Sequence, residues 1–172
     1  MDANPTLDPA DEGVIALVDG AELLRFDRTL PVDPGRAWAF LTDPDLTARW
    51  AFRASFEPVA GGALTFDYGE GVTASGDVVA WDEPRVLEYA WGDAPMRWHV
   101  RFSLAGVDGL DGEETRLTFD HVAPDPHDPE FAAGWHWHLD RLEQLAGGED
   151  PPAVMTDDHF EELLRLYSHA GG

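Results

Sequence analysis

The spacing of apolar residues changes period along the chain, and each change marks a set of elements. Val14–Val18 and Leu23–Leu30 are two apolar runs separated by Asp19-Gly20, a pair suited to a type I′ turn, so they predict a hairpin. Asp33-Pro34 and Asp43-Pro44 each place a capping carboxylate before a proline that suits a first helical turn. Two short helices are therefore expected, one over residues 36–41 with Trp38 and Leu41 inward and one ending near Trp50. Period two then takes over. Phe52, Ala54 and Phe56 alternate with polar neighbours, and so do Leu64, Phe66 and Tyr68 after Gly61-Gly62. Val72–Trp81 reads as a strand with a bulge or bend at Gly76, followed by Val86–Trp91. Trp98, Val100, Phe102 and Leu104 form the next strand, and Leu117, Phe119 and His121 lie in phase on the last. The acidic, glycine-rich stretch from Val107 to Glu114 reads as the connection between those two.

After Pro129 the period becomes helical. Trp135, His138, Leu139, Leu142 and Leu145 recur at three- and four-residue spacing, with Asp140, Arg141, Glu143 and Gln144 on the other side and Gly147-Gly148 as a stop. This is the longest helix the pattern predicts, and Trp137 falls off its main apolar face, where it could meet a further helix. That further helix, expected over residues 156–168, has Phe160, Leu163, Leu164 and Tyr167 as its stripe and four acidic residues in its first turns. The stripe must be buried, but on the back of the sheet, at a cavity mouth or in a dimer are all open. A one-layer antiparallel sheet with one long apolar helix must wrap that helix or lie against it. The fold class expected is α+β, divided into a loose arm over residues 1–12, one domain over 13–148, and a linker with the last helix over 149–172.

Composition narrows the function. The chain has 172 residues, one domain's worth, with 44% apolar content. Against 34 acidic residues stand 11 basic ones, all arginine, giving a formal charge of −23. Such a field repels phosphate backbones and anionic membrane surfaces, so no nucleic-acid partner is expected. It leaves open a basic protein partner or a homodimer, and it is consistent with acidity serving solubility in a salty cytoplasm. No stretch is apolar enough to insert into a membrane, and the first residues lack the pattern of a signal peptide, so a cytoplasmic location is expected. The absence of cysteine excludes disulfides, a thiol nucleophile and cysteine-ligated metals.

The order of elements and a set of motifs resemble the START-like (SRPBCC) superfamily, and within it the bacterial single-domain proteins of the heat-shock-protein-90 ATPase activator-like branch. The motifs are Ala37-Trp38-Ala-Phe-Leu-Thr42-Asp-Pro44 with Leu46 and Arg49-Trp50, Gly61-Gly62-Ala-Leu-Thr-Phe66, Gly76-Asp-Val78, Glu83-Pro84-Arg85-Val86-Leu87 with Tyr89-Ala-Trp91, Thr115–His121, and Gly134-Trp135 with Leu139 and Leu142. They run in order over roughly residues 24–147. The resemblance implies the helix-grip fold, a curved antiparallel sheet closed around the long helix, with two short helices after the first core strand. It also implies a cavity between sheet and helix that takes an apolar or amphipathic small molecule. It does not imply one activity, because relatives include lipid carriers, aromatase/cyclases and co-chaperone domains.

Within that fold the inward aromatic load supplies the candidate ligand-binding residues: Trp50, Phe52, Phe66, Tyr68, Tyr89, Trp91, Trp98, Phe102, Phe119 and Trp135, together with His121 and His138. Aromatics also simply fill cores, and buried histidines are usually hydrogen-bonded there. The two histidines could meet across the cavity, orient a carbonyl or hydroxyl, or act as acid and base. His136 and His138, two apart, lie on different helical faces and cannot chelate a metal together, so no metal is expected; with no Gly-rich phosphate loop and no Rossmann fingerprint, no cofactor is expected either. Carrying, sequestering or sensing a hydrophobic small molecule is preferred, since no catalytic constellation is forced. A cyclase or dehydratase acting on a polyketide-like substrate and a co-chaperone-type interaction domain are the alternatives.

Overall fold

The computed structural model of the chain describes residues 11–93, 96–109, 112–153 and 155–170. Eight strands form one antiparallel sheet in the order β1-β2-β8-β7-β6-β5-β4-β3. They are β1 (Val14–Val18), β2 (Ala21–Leu30), β3 (Arg53–Phe56), β4 (Ala63–Gly69), β5 (Val72–Asp82), β6 (Val86–Trp91), β7 (Trp98–Gly109) and β8 (Gly112–Ala123). Helices α1 (Pro34–Thr42) and α2 (Pro44–Trp50) follow β2, α3 (Pro129–Ala146) follows β8, and α4 (Asp157–Ala170) ends the order. This is the helix-grip arrangement expected from the sequence.

The local signals act as their chemistry requires. Asp19 and Gly20 take positive φ values of 51° and 83° in the β1–β2 turn. The Asp33, Asp43 and Asp128 carboxylates each accept a backbone N–H at the start of a helix whose first residue is proline. The strand signals mislead at two places. The acidic stretch expected to connect β7 and β8 is mostly strand: Val107 pairs with Glu114 and Asp108 with Glu113. Antiparallel pairing satisfies those backbone groups while the acidic composition suggests a loop. Gly76 is not the bulge of β5, which falls between Val78 and Ala80. A Cβ at residue 76 would stand 2.1 Å from the Ala90 carbonyl oxygen, so glycine there permits the close approach of β6.

One face of the sheet holds the core. Leu24, Phe26 and Leu30 of β2, Leu117 and Phe119 of β8, Val100, Phe102 and Leu104 of β7, and Leu87 of β6 are buried against Leu139, Leu142 and Leu145 of α3. Register aligns Phe26, Phe119 and Phe102 across three strands, with ring centroids 6.1 and 4.9 Å apart. The C-terminal half of α3 therefore rests on solid packing.

The side of α3 expected to be polar is not all solvated. Arg141 is buried and donates to the Trp50 and Arg49 carbonyl oxygens at 2.9 and 3.0 Å, closing the C-terminal end of α2. Its guanidinium lies 4.6 Å from the centre of the Trp137 ring. Beside Trp137 on the helix, His136 makes a contact to the last helix. Its Nδ1 is 2.7 Å from the Tyr167 hydroxyl, and α4 packs along α3 on that side with Leu163 and Tyr167 buried. On β8, Asp120 forms a two-pronged pair with Arg25 of β2 at 2.7 and 3.0 Å.

A cluster that sequence phase could have revealed ties these pieces together. Arg28 continues the inward phase of Phe26 and Leu30, and its side chain is fully buried. It donates to Asp140 at 2.7 Å and to the Asp11 carbonyl oxygen at 2.9 Å, with Glu143 at 3.5 Å. The carboxylates of Asp11, Asp140 and Glu143 converge closely enough to hold a cation, and the Arg28 guanidinium sits among them. The Gly13 amide donates to the Tyr167 hydroxyl at 2.9 Å, so the segment just before β1 is fastened to the same place; residues 1–10 of the expected arm lie outside the described residues.

Candidate ligand pocket between sheet and long helix

Beneath the N-terminal half of α3 lies a cavity of about 300 Å³. Ala51 and Phe52 after α2, Phe66 and Tyr68 of β4, Trp91 of β6 and Trp98 of β7 make one wall. Glu130, Phe131, Gly134, Trp135 and His138 of α3 make the other. The lining is largely aromatic, and its rings brace one another. Trp91 and Trp98 stack at 5.7 Å with 10° between planes, Phe52 meets Tyr68 edge-on at 4.8 Å, and Phe131 meets Trp98 at 4.8 Å. Phe52 and Tyr68 are 45% and 40% exposed and form the rim.

Gly134 is the anomaly in this wall. Glycine in a helix interior costs about 1 kcal/mol relative to alanine. Here an added Cβ would meet nothing within 4 Å, so no packing contact demands the glycine. What its missing side chain leaves is space in the pocket.

Of the twelve candidate residues, Phe52, Phe66, Tyr68, Trp91, Trp98, Trp135 and His138 line the cavity. Trp50, Tyr89, Phe102, Phe119 and His121 stand outside its lining. Trp50 is buried and donates from Nε1 to the Phe40 carbonyl oxygen at 2.8 Å, joining α2 to α1. Tyr89, Phe102 and Phe119 belong to the packed core, where burial pushes the Tyr89 hydroxyl far up. Phe131 and Gly134, which the candidate set lacks, were legible in the helical phase: with Trp135 and His138 they fall at i, i+3, i+4 and i+7.

The two histidines differ. The Trp135 indole donates to His121 Nδ1 at 2.9 Å, which leaves the protonated Nε2 to donate to the Pro124 carbonyl oxygen. Both ring nitrogens of His121 are thus used within the protein, and burial lowers its pKa. His138 Nδ1 lies 3.0 Å from the Trp50 carbonyl oxygen, which can only accept, so Nδ1 carries the proton. Burial, with a smaller push from the Arg141 cation, takes His138 down to about 4, against the raising effect of that carbonyl. The imidazole is therefore neutral at neutral pH, with Nε2 as an acceptor. The histidines pack against Trp135, at 6.3 and 6.1 Å, rather than against each other.

The comparisons with known proteins agree with this fold. The family model described as activator of Hsp90 ATPase homolog 1-like protein matches residues 31–147, which include every pocket-lining residue. No curated protein matches. Among solved structures, BPP1335 from Bordetella parapertussis is 24% identical, covering 95% of this chain and 94% of its own, with a TM-score of 0.70. CalU16 from Micromonospora echinospora is 19% identical over 93% of this chain and 97% of its own, with a TM-score of 0.65. MLL2253 from Mesorhizobium loti is 25% identical over 74% and 98%, at 0.59. Among the described residues no helix is long and apolar enough to cross a membrane.

Proposed function

We propose, for a chain that belongs to the activator of Hsp90 ATPase homolog 1-like family, that it binds an apolar aromatic small molecule between its sheet and its long helix. It acts by carrying, sequestering or sensing that molecule. The observation that supports this reading is the aromatic-lined cavity under a helical glycine. A protein needing only a stable core gains by filling such a space, since both the void and the glycine cost stability. Aromatic walls with few polar groups are the usual chemistry of a small-molecule site.

The cyclase-type alternative has less support. Both nitrogens of His121 are bonded within the protein, and His138 is held neutral as an acceptor with a low pKa. No acid and base pair converges on the cavity from these two residues.

Gly134→Leu tests the binding reading. A Cβ there meets nothing within 4 Å and alanine or leucine favours helix over glycine, so melting temperature should hold or rise while calorimetric binding of 2-methoxynaphthalene is lost. A wild-type protein that takes up no such ligand, or a variant that binds it as well as wild type, would sink the reading. Native mass spectrometry of freshly purified protein should show added mass that Gly134→Leu lacks.

A further inference from the structure

The pocket's polar groups are few and unevenly placed. Among the described residues its lining side chains with acceptor atoms are His138, Tyr68 and Glu130. Tyr68 and Glu130 are exposed at the rim, where water competes for them. His138 is only partly exposed, its ring set between Phe52 at 5.7 Å and Trp135 at 6.1 Å, both of which line the cavity. Its Nδ1–H is committed to the Trp50 carbonyl, and among the described residues Nε2 has no hydrogen-bond partner. What the pocket wall offers at this point is a fixed lone pair in apolar surroundings.

Charge sets the second condition. No arginine lines the cavity, and the nearby Arg141 spends two of its N–H groups on the carbonyls that end α2. The carboxylate of Glu130 stands at the mouth, aromatic faces present the negative side of their quadrupoles, and the chain carries −23. An anionic ligand would lose its hydration and meet no cation.

We propose that the pocket selects neutral, planar aromatic molecules bearing a hydroxyl group that donates to Nε2 of His138, and that it rejects aromatic carboxylates. This rests on the ligand-binding reading above and specifies its substrate class. The flat rings match stacked aromatic walls, and the hydroxyl pairs the one acceptor that would otherwise be desolvated without a partner when the cavity fills.

The experiment uses the full chain and three matched probes, 2-naphthol, 2-methoxynaphthalene and naphthalene-2-carboxylate, in calorimetric titrations at neutral pH. The expected order is naphthol tightest, by roughly three- to tenfold over the methoxy compound, with the carboxylate weakest. In His138→Phe, which keeps an aromatic ring, the two neutral probes should bind alike. Without any substitution, the ¹⁵N resonance of His138 Nε2 should shift on adding naphthol and hold nearly still with the methoxy compound. Equal binding of the neutral probes, a naphthol preference that survives His138→Phe, an unmoved Nε2 resonance, or tightest binding of the carboxylate would each overturn the selectivity while leaving the pocket reading intact. If none of the three binds, both fail.

Discussion

His136 and His138 stand two residues apart on one helix, in two different chemical regions. His136 faces a latch in which polar groups are paired within the protein. The Gly13 amide donates to the Tyr167 hydroxyl, that hydroxyl pairs with His136, and His136 faces Asp140 at 3.5 Å, which in turn holds Arg28. His138 faces the cavity, with one nitrogen bonded and the other open to whatever enters. The latch joins the residues just before β1, β2, α3 and α4, and its groups are spent on holding them. The pocket is walled by rings that hold one another, so a polar atom can stay available. A closed polar network fixes structure, and an aromatic cavity with one unspent acceptor can recognise something.

Substitutions should separate the two regions. Arg28→Met has the largest expected effect, a loss of about 3 kcal/mol in urea unfolding, because Asp140 and Glu143 lose their cation in partly buried surroundings. Ligand affinity of the folded fraction should change little; a large change would mean that latch and pocket are one unit. Tyr167→Phe should cost about 2 kcal/mol by orphaning the Gly13 amide and His136 Nδ1, with the same small effect on binding.

Acidity gives a finer separation. Burial lowers His136 to about 3 and His138 to about 4, so below the ordinary 6.5 the unfolded chain takes up protons that the folded chain refuses. Both histidines therefore cost stability as pH falls from 6.5 towards 4. Glu143 works the other way. Burial, with Asp11 and Asp140 beside it, raises it to about 7 despite Arg28, so it binds a proton more readily folded than unfolded and adds stability as pH falls from 7 towards 4.5. Glu143→Gln removes that offset. Moving from pH 7.5 to pH 5 should then destabilise the variant more than wild type, by on the order of 1–2 kcal/mol. An unchanged pH response would show that Glu143 does not titrate in the folded protein. The smallest effect on stability belongs to the pocket side: His138→Phe should cost under about 1.5 kcal/mol, being close in volume and aromatic, although it removes the bond to Trp50.

The primary structure alone determined the elements and their order. Alternation of apolar residues sets strands, Asp-Pro pairs set helix starts, and the phase of Trp135 through Leu145 sets the long helix, because each depends on neighbours a few residues away. It also determined that the inward face is aromatic. Which aromatics line a space and which fill a core was decided only by tertiary structure. Phe102 and Phe119 look like Phe66 and Trp98 in sequence, yet the first pair lies in packed core and the second borders the cavity. The distinction depends on which residues of other elements come to face each ring, and no local pattern encodes that. The same holds for Arg28, Arg141 and His136. Phase places Arg28 inward between Phe26 and Leu30, but periodicity cannot say what would pair a polar side chain at any of the three positions. It is the partners brought from other elements, Asp140 for Arg28, the α2 carbonyls for Arg141 and Tyr167 for His136, that make their burial affordable.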